Sequence, residues 1–186
     1  MAVLVIAGSG RGAGKTAVGC ALIAALPELR WVAVKVTPHL HRDEEIWEEV
    51  DFRSGKDTGR YLAAGAGRAF LVGGVGVADA AGLVVGARSR AALCDGLLVE
   101  SNRITAGSVA RPGERVVTLA VLAGAEAEWK ASLRECVGGV DALVLGSGLD
   151  ANGFESPFRR KPVFSLGEGH WCVPELVRFV RGRLVG

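Results

Sequence analysis

The stretch that most constrains this 186-residue chain is Ala7–Gly8–Ser9–Gly10–Arg11–Gly12–Ala13–Gly14–Lys15–Thr16. A short apolar run, Ala2–Ile6, leads into it, and a second, Ala17–Leu26, leaves it and stops at Pro27. A strand, a glycine loop and a helix in that order set a row of backbone N–H groups at a helix N-terminus, which is the arrangement that takes up a phosphate chain. The glycines keep side chains out of the way, and the helix macrodipole adds positive potential at the same point. The backbone of Gly10, Arg11, Gly12, Ala13 and Gly14, followed by Lys15, Thr16 and Ala17, is therefore expected to wrap a polyphosphate. Lys15 would reach the β- and γ-phosphates and the Thr16 hydroxyl would hold Mg²⁺ between them. In the strict spacing a glycine stands five places before Gly14; here Ser9 stands there, with Gly8 one residue earlier, so the loop is one residue longer.

Composition excludes several alternatives. A net charge of +2 with scattered Lys and Arg is too weak to argue for nucleic acid or an anionic membrane surface as partner. The densest basic run, Arg159–Arg160–Lys161, reads as a solvated loop. Cys20, Cys94, Cys136 and Cys172 lie far apart without a C-x-x-C pair, which points to a reduced, cytoplasmic protein rather than a thiol zinc site. No basic region precedes the first apolar run, and no apolar segment reaches the roughly twenty residues that cross a bilayer. A single domain over residues 1–186 is expected.

Apolar runs alternate with helical segments. Strands are expected at Ala2–Ala7, Trp31–Thr37, Ala69–Val72, Gly96–Glu100, Val116–Ala123, Ala142–Gly146 and Val163–Leu166. Helices are expected at Lys15–Leu26, Lys56–Ala64, Ala78–Leu93, Ala125–Cys136 and Pro174–Leu184. The strands are mostly continuous in Val and Leu, as strands covered on both faces are. The alternation predicts an α/β fold: a doubly wound, mainly parallel sheet of about seven strands with helices on both faces and ligands beyond the strands' carboxyl ends. The irregular, acid-rich segment Thr37–Gly55 reads as a segment that moves with the state of a bound phosphate and as a solvated acidic helix, Glu44–Val50, with Ile46, Trp47 and Val50 turned inward, two readings that can hold together.

Several residues outside the loop carry chemistry. In Asp95–Gly96–Leu97–Leu98–Val99–Glu100 a buried strand delivers one carboxylate, Glu100, to its carboxyl end, where it would orient Mg²⁺; Asp95 would mark a turn at the opposite end. Lys35 sits in the otherwise apolar Val32–Val36, where a lysine needs an anion or a route to solvent. Asp57, at a helix start, would position a water or a metal-bound water. His39 and His41 read as loop residues, with a metal or phosphate contact as the alternative. In Gly167–Glu168–Gly169–His170–Trp171 the tryptophan reads either as a stacking surface for a base or as core.

The segments GSGRGAGKT, KVTPH, SGKDTGRYLAAGA and CDGLLVESN together resemble the MobB-like proteins, P-loop GTP-binding accessory proteins of molybdopterin guanine dinucleotide biosynthesis, over roughly the first hundred residues. The resemblance implies a P-loop NTPase fold, a purine nucleotide and Mg²⁺ as ligands, Lys15 and Thr16 on phosphates and metal, and Asp57 and Glu100 at the metal end. It also implies a homodimer and a molybdenum-cofactor biosynthesis protein as partner. The longer loop spacing is similar instead to dethiobiotin synthetase and the cobyrinic acid amidating synthetases, which use ATP to activate a carboxylate, and Lys35 fits them too. The expected function is Mg²⁺-dependent binding of GTP or ATP with slow hydrolysis. A small-molecule kinase or carboxylate-activating ligase, and a nucleotide-dependent interaction module, are the alternatives.

Overall fold

The computed structural model describes residues 1–38, 44–73, 77–91, 93–150, 154 and 158–186, excepting the side chains of 77, 78, 137 and 159. In chain order the elements are β1 (Ala2–Gly8), α1 (Lys15–Ala25), β2 (Trp31–Thr37), β3 (Ile46–Glu49), α2 (Asp57–Ala63), β4 (Arg68–Gly73), α3 (Val77–Ser89), β5 (Gly96–Glu100), α4 (Ala106–Val109), β6 (Arg115–Leu122), α5 (Ala131–Cys136), β7 (Ala142–Leu145), β8 (Val163–Ser165) and α6 (Pro174–Leu184). The strands form one sheet in the order β3-β4-β2-β5-β1-β6-β7-β8, parallel throughout except for β3 against β4.

All seven residues of β1 are buried, because the strand is central and both its faces are covered. Leu4 and Ile6 pack with Val18 and Leu22 of α1, Tyr61 of α2 and Leu176 and Val180 of α6. Val3 and Val5 turn to the opposite face, toward Ala80, Val84 and Ala87 of α3 and Val109 of α4. On that same face Trp129, Leu133, Phe154 and Phe158 cover Ala7, Ala120 and Leu143. β1 and β5 are neighbours, yet the chain leaves β1 toward β2 on one side and leaves β5 toward β6 on the other. Such a parting of connections opens a crevice at the strands' carboxyl ends.

Three sequence expectations are corrected. The acidic helix over Glu44–Val50 is instead the short edge strand β3, which among the described residues adds an eighth strand to the mainly parallel sheet of about seven that was expected. Sheet pairing with β4 wins over helical periodicity here: Glu48 pairs with Arg68, Ile46 packs beside Gly86, and Val50 is 83% exposed rather than inward. The single helix expected over Ala125–Cys136 breaks into a 3₁₀ turn, Glu126–Glu128, and α5, with Trp129 extended between them. The buried Trp129 ring meets Phe154 and Phe158 edge-on, and its indole N–H donates to the Ala123 carbonyl at 3.1 Å, which takes the residue out of helical geometry. The helix expected to reach Leu93 ends at Ser89, leaving Leu93 70% exposed. The remaining expected strands agree within about one residue. Among the described residues, no helix is long and apolar enough to cross a membrane.

Candidate active site

The glycine loop between β1 and α1 is anchored by two residues whose roles were not evident in sequence, one outside the loop and one within it. Asn102, just past β5, clamps Gly8 from both sides: its carbonyl oxygen accepts the Gly8 N–H at 2.8 Å and its amide donates to the Gly8 carbonyl at 2.7 Å. Ser9, only 3% exposed, donates its hydroxyl to the Ala123 carbonyl and accepts the Ala123 N–H, both at 2.9 Å. Ser9 thus anchors the loop to the end of β6, which accounts for a serine where the strict spacing has glycine. The outer glycine is Gly8. A Cβ there would stand 2.7 Å from the Val121 carbonyl and 2.8 Å from Lys15 Cγ, so only a glycine lets the lysine stem cross the strand end.

Having crossed Gly8, Lys15 donates from Nζ to the Gly10 carbonyl at 2.7 Å. Burial lowers its pKa below the usual lysine range; Glu100 and Asp57 oppose that shift, and Lys35 and Lys130 add to it. A cation so short of solvation, beside the N–H groups that open α1, suits an anionic ligand. A Cβ on Gly10 or Gly12 would meet nothing within 4 Å, so the loop is open there. Arg11 is exposed at the tip, and Ala13 and Ala17 are buried. Gly14 caps α1 with φ +95°, the left-handed conformation a glycine reaches without strain.

Four of the expected residues converge with Lys15 at the carboxyl ends of β2 and β5. The Thr16 hydroxyl donates to Glu100 Oε2 at 2.7 Å. Lys35 donates to Glu100 Oε1 at 2.7 Å and lies 2.5 Å from Asp57 Oδ2. Burial works against the Lys35 charge, but the two carboxylates outweigh it and its pKa rises. Burial likewise works against Asp57, and the Lys35 ammonium pulls its carboxyl below the ordinary value. Tyr61, a residue the sequence did not single out, donates its phenol to Glu100 Oε2 at 2.6 Å; burial, then the Glu100 charge, holds its pKa well above the usual 10.0. Thr16, Glu100 and Asp57 are an all-oxygen set suited to a hard divalent cation. The Lys35 ammonium between the two carboxylates is a stand-in for positive charge there, so these residues fit Mg²⁺.

Asp95 belongs to the opposite end of the sheet, paired with Arg30, as expected of a turn residue. His39 and His41 lie outside the described residues. His170 keeps to its own turn, its Nδ1 2.9 Å from the Glu168 carbonyl. Trp171 is not a core residue. Its ring is 47% exposed and lies over the loop, where a Cβ on Gly14 would be 2.7 Å from Cζ3. With Ala17, Cys20 and Ala21 of α1 and Arg60, Ala63 and Ala64 of α2 it lines an open hollow of about 460 Å³. Burial pushes the Cys20 thiol up to about 11, so it is no nucleophile at neutral pH. The Glu49–Thr58 connection is tied down internally: buried Glu49 accepts the Asp51 N–H and the Ser54 and Thr58 hydroxyls.

The central strand, its glycine loop capped by Gly14 and the doubly wound parallel sheet define the class: the fold is that of the P-loop NTPases. Along 97% of its length the chain is similar to a solved structure, the X-ray crystal structure of a MobB protein homolog from Bacillus stearothermophilus. It covers 99% of that chain, with 21% identity and a TM-score of 0.47. No protein-family model and no curated protein matches the chain.

Proposed function

We propose that this chain binds a purine nucleoside triphosphate, GTP or ATP, with Mg²⁺, hydrolyses it slowly, and serves as a MobB-like accessory protein in molybdenum-cofactor assembly, acting as a homodimer. The observation that carries the reading is the Lys15 stem lying across Gly8 inside an open glycine loop, directly beside the Thr16–Glu100–Asp57 oxygen set. Lys15 exchanges the Gly10 carbonyl for phosphate oxygens, and the amides at the start of α1 take the rest of the chain of charge. Thr16 and Glu100 would hold Mg²⁺, with Asp57 at the same end of the site, and the metal would supply positive charge to the β- and γ-phosphates. The 39% exposure of the Asp57 side chain supports a role for its carboxylate in orienting a water. The half-exposed Trp171 ring is the surface offered to the base.

The test is a thermal-shift comparison of GTP and ATP with and without Mg²⁺, alongside Lys15→Ala. A ligand at one hundred times its Kd stabilises by about 2.7 kcal/mol, which is readily seen. Retained nucleotide affinity in Lys15→Ala would overturn the reading. Lys35 supports a second one, an ATP-dependent kinase or ligase acting on a small carboxylic acid, because it places an ammonium beside the phosphate-binding loop. Strong stimulation of turnover by small carboxylic acids would select it over the accessory role.

A further inference from the structure

We infer that Tyr61 is a positioning residue for Glu100, its phenol deciding which carboxylate oxygen is left to face a cation; this rests on the Mg²⁺–nucleotide reading above. Two neutral hydroxyls, Tyr61 at 2.6 Å and Thr16 at 2.7 Å, converge on Oε2, while the charged partner, Lys35, is on Oε1 at 2.7 Å. The carboxylate is therefore sided. One oxygen is occupied by donors that bring no charge, and the other carries the ionic contact. A neutral donor can hold Oε2 without competing for the cation's place and without cancelling the carboxylate charge, which a lysine or arginine in its position would do.

The phenol is itself held in place. Tyr61 is fully buried, and α1 presses against it through a glycine: a Cβ at Gly19 would stand 2.9 Å from Tyr61 Cε1 and 3.3 Å from its hydroxyl oxygen. Tyr61 follows Asp57 by four residues on α2, so the two share one face of the helix. That helix is seated against the preceding turn at Gly59, where a Cβ would be 2.8 Å from the Asp51 carbonyl. One rigid turn of α2 thus brings both Asp57 and the group that orients Glu100. Without the hydroxyl, Oε2 loses one of its two neutral donors, and the carboxylate is held by Thr16 and Lys35 with less constraint on which oxygen faces the cation. Groups that orient a metal's ligands characteristically change metal affinity by about 10–100-fold.

The experiment measures GTP and ATP affinity with Mg²⁺ and with EDTA in the wild type, Tyr61→Phe and Gly19→Ala, together with the electron paramagnetic resonance spectrum of the Mn²⁺–nucleotide complex. Tyr61→Phe keeps the ring and removes only the donor. Gly19→Ala keeps the donor and displaces the ring. Both are expected to lose about tenfold or more of the Mg²⁺-dependent gain in affinity while the EDTA affinity stays within about twofold, and to alter the Mn²⁺ spectrum. An unchanged Mg²⁺ gain and spectrum in Tyr61→Phe, or equal losses with and without the metal, would overturn the positioning role. A wild type that binds neither nucleotide overturns the nucleotide reading instead, a result distinct from a wild type and variants that share the same gain.

Discussion

Lys35 and Glu100 are register partners on adjacent parallel strands, and the lysine donates a 2.7 Å hydrogen bond to the glutamate at the strands' carboxyl ends. The same ammonium reaches Asp57 at the start of α2. An internal cation thus holds together two carboxylates that would otherwise repel.

Replacing Lys35 by Met should leave Glu100, 4% exposed, facing Asp57 without the ammonium that bridges them, with Arg60 beside Asp57 and the Lys15 charge near Glu100 as remaining positive charges. The loss should be on the order of 2–4 kcal/mol, below that of a fully enclosed pair because Lys35 keeps 22% of its side chain in water. Mg²⁺ without nucleotide should return part of that stability, so the variant's melting temperature should rise with Mg²⁺ much more than the wild type's. Equal Mg²⁺ responses in thermal unfolding would show that the two carboxylates do not share a cation position.

Lys15 supplies a pH dependence. Burial sets its folded pKa below the ordinary 10.5, so between the two values the unfolded chain carries more protons and stability rises with pH. A bound polyphosphate restores the charged form, so binding in that alkaline window should take up a proton, and affinity should fall as pH rises through it. Calorimetric titration of pyrophosphate in two buffers of different ionisation enthalpy measures the uptake. Lys15→Arg, which stays charged, should flatten the profile. The same alkaline loss in the arginine variant would assign the effect to another group.

Gly14 and Trp171 should be coupled. Gly14→Ala introduces a side chain at φ +95° and drives its Cβ into the indole ring. The backbone part alone should cost about 1–3 kcal/mol. Trp171→Ala in that background should recover the steric part but not the backbone part, giving a coupling of about 0.5 kcal/mol or more in a double-mutant cycle by denaturant unfolding. Strict additivity would place the ring away from Gly14 in solution.

Much of this was legible in the chain itself. A continuous apolar run beside glycines leaves a central strand and a phosphate-type turn few alternatives, so β1, the glycine loop, α1 and the delivery of Glu100 by an apolar strand follow from the order of residues. That order also marked Lys35 as a charge needing a counter-charge, since a lysine among Val32–Val36 has nowhere inexpensive to go.

The remaining features come from contacts between segments far apart in the chain. Strand β3 and the break at Trp129 arise where pairing with a neighbouring strand, or burial of one ring, outweighs the local helical pattern. Ser9, Asn102 and Tyr61 bond partners 114, 94 and 39 positions away, contacts that only the folded chain creates.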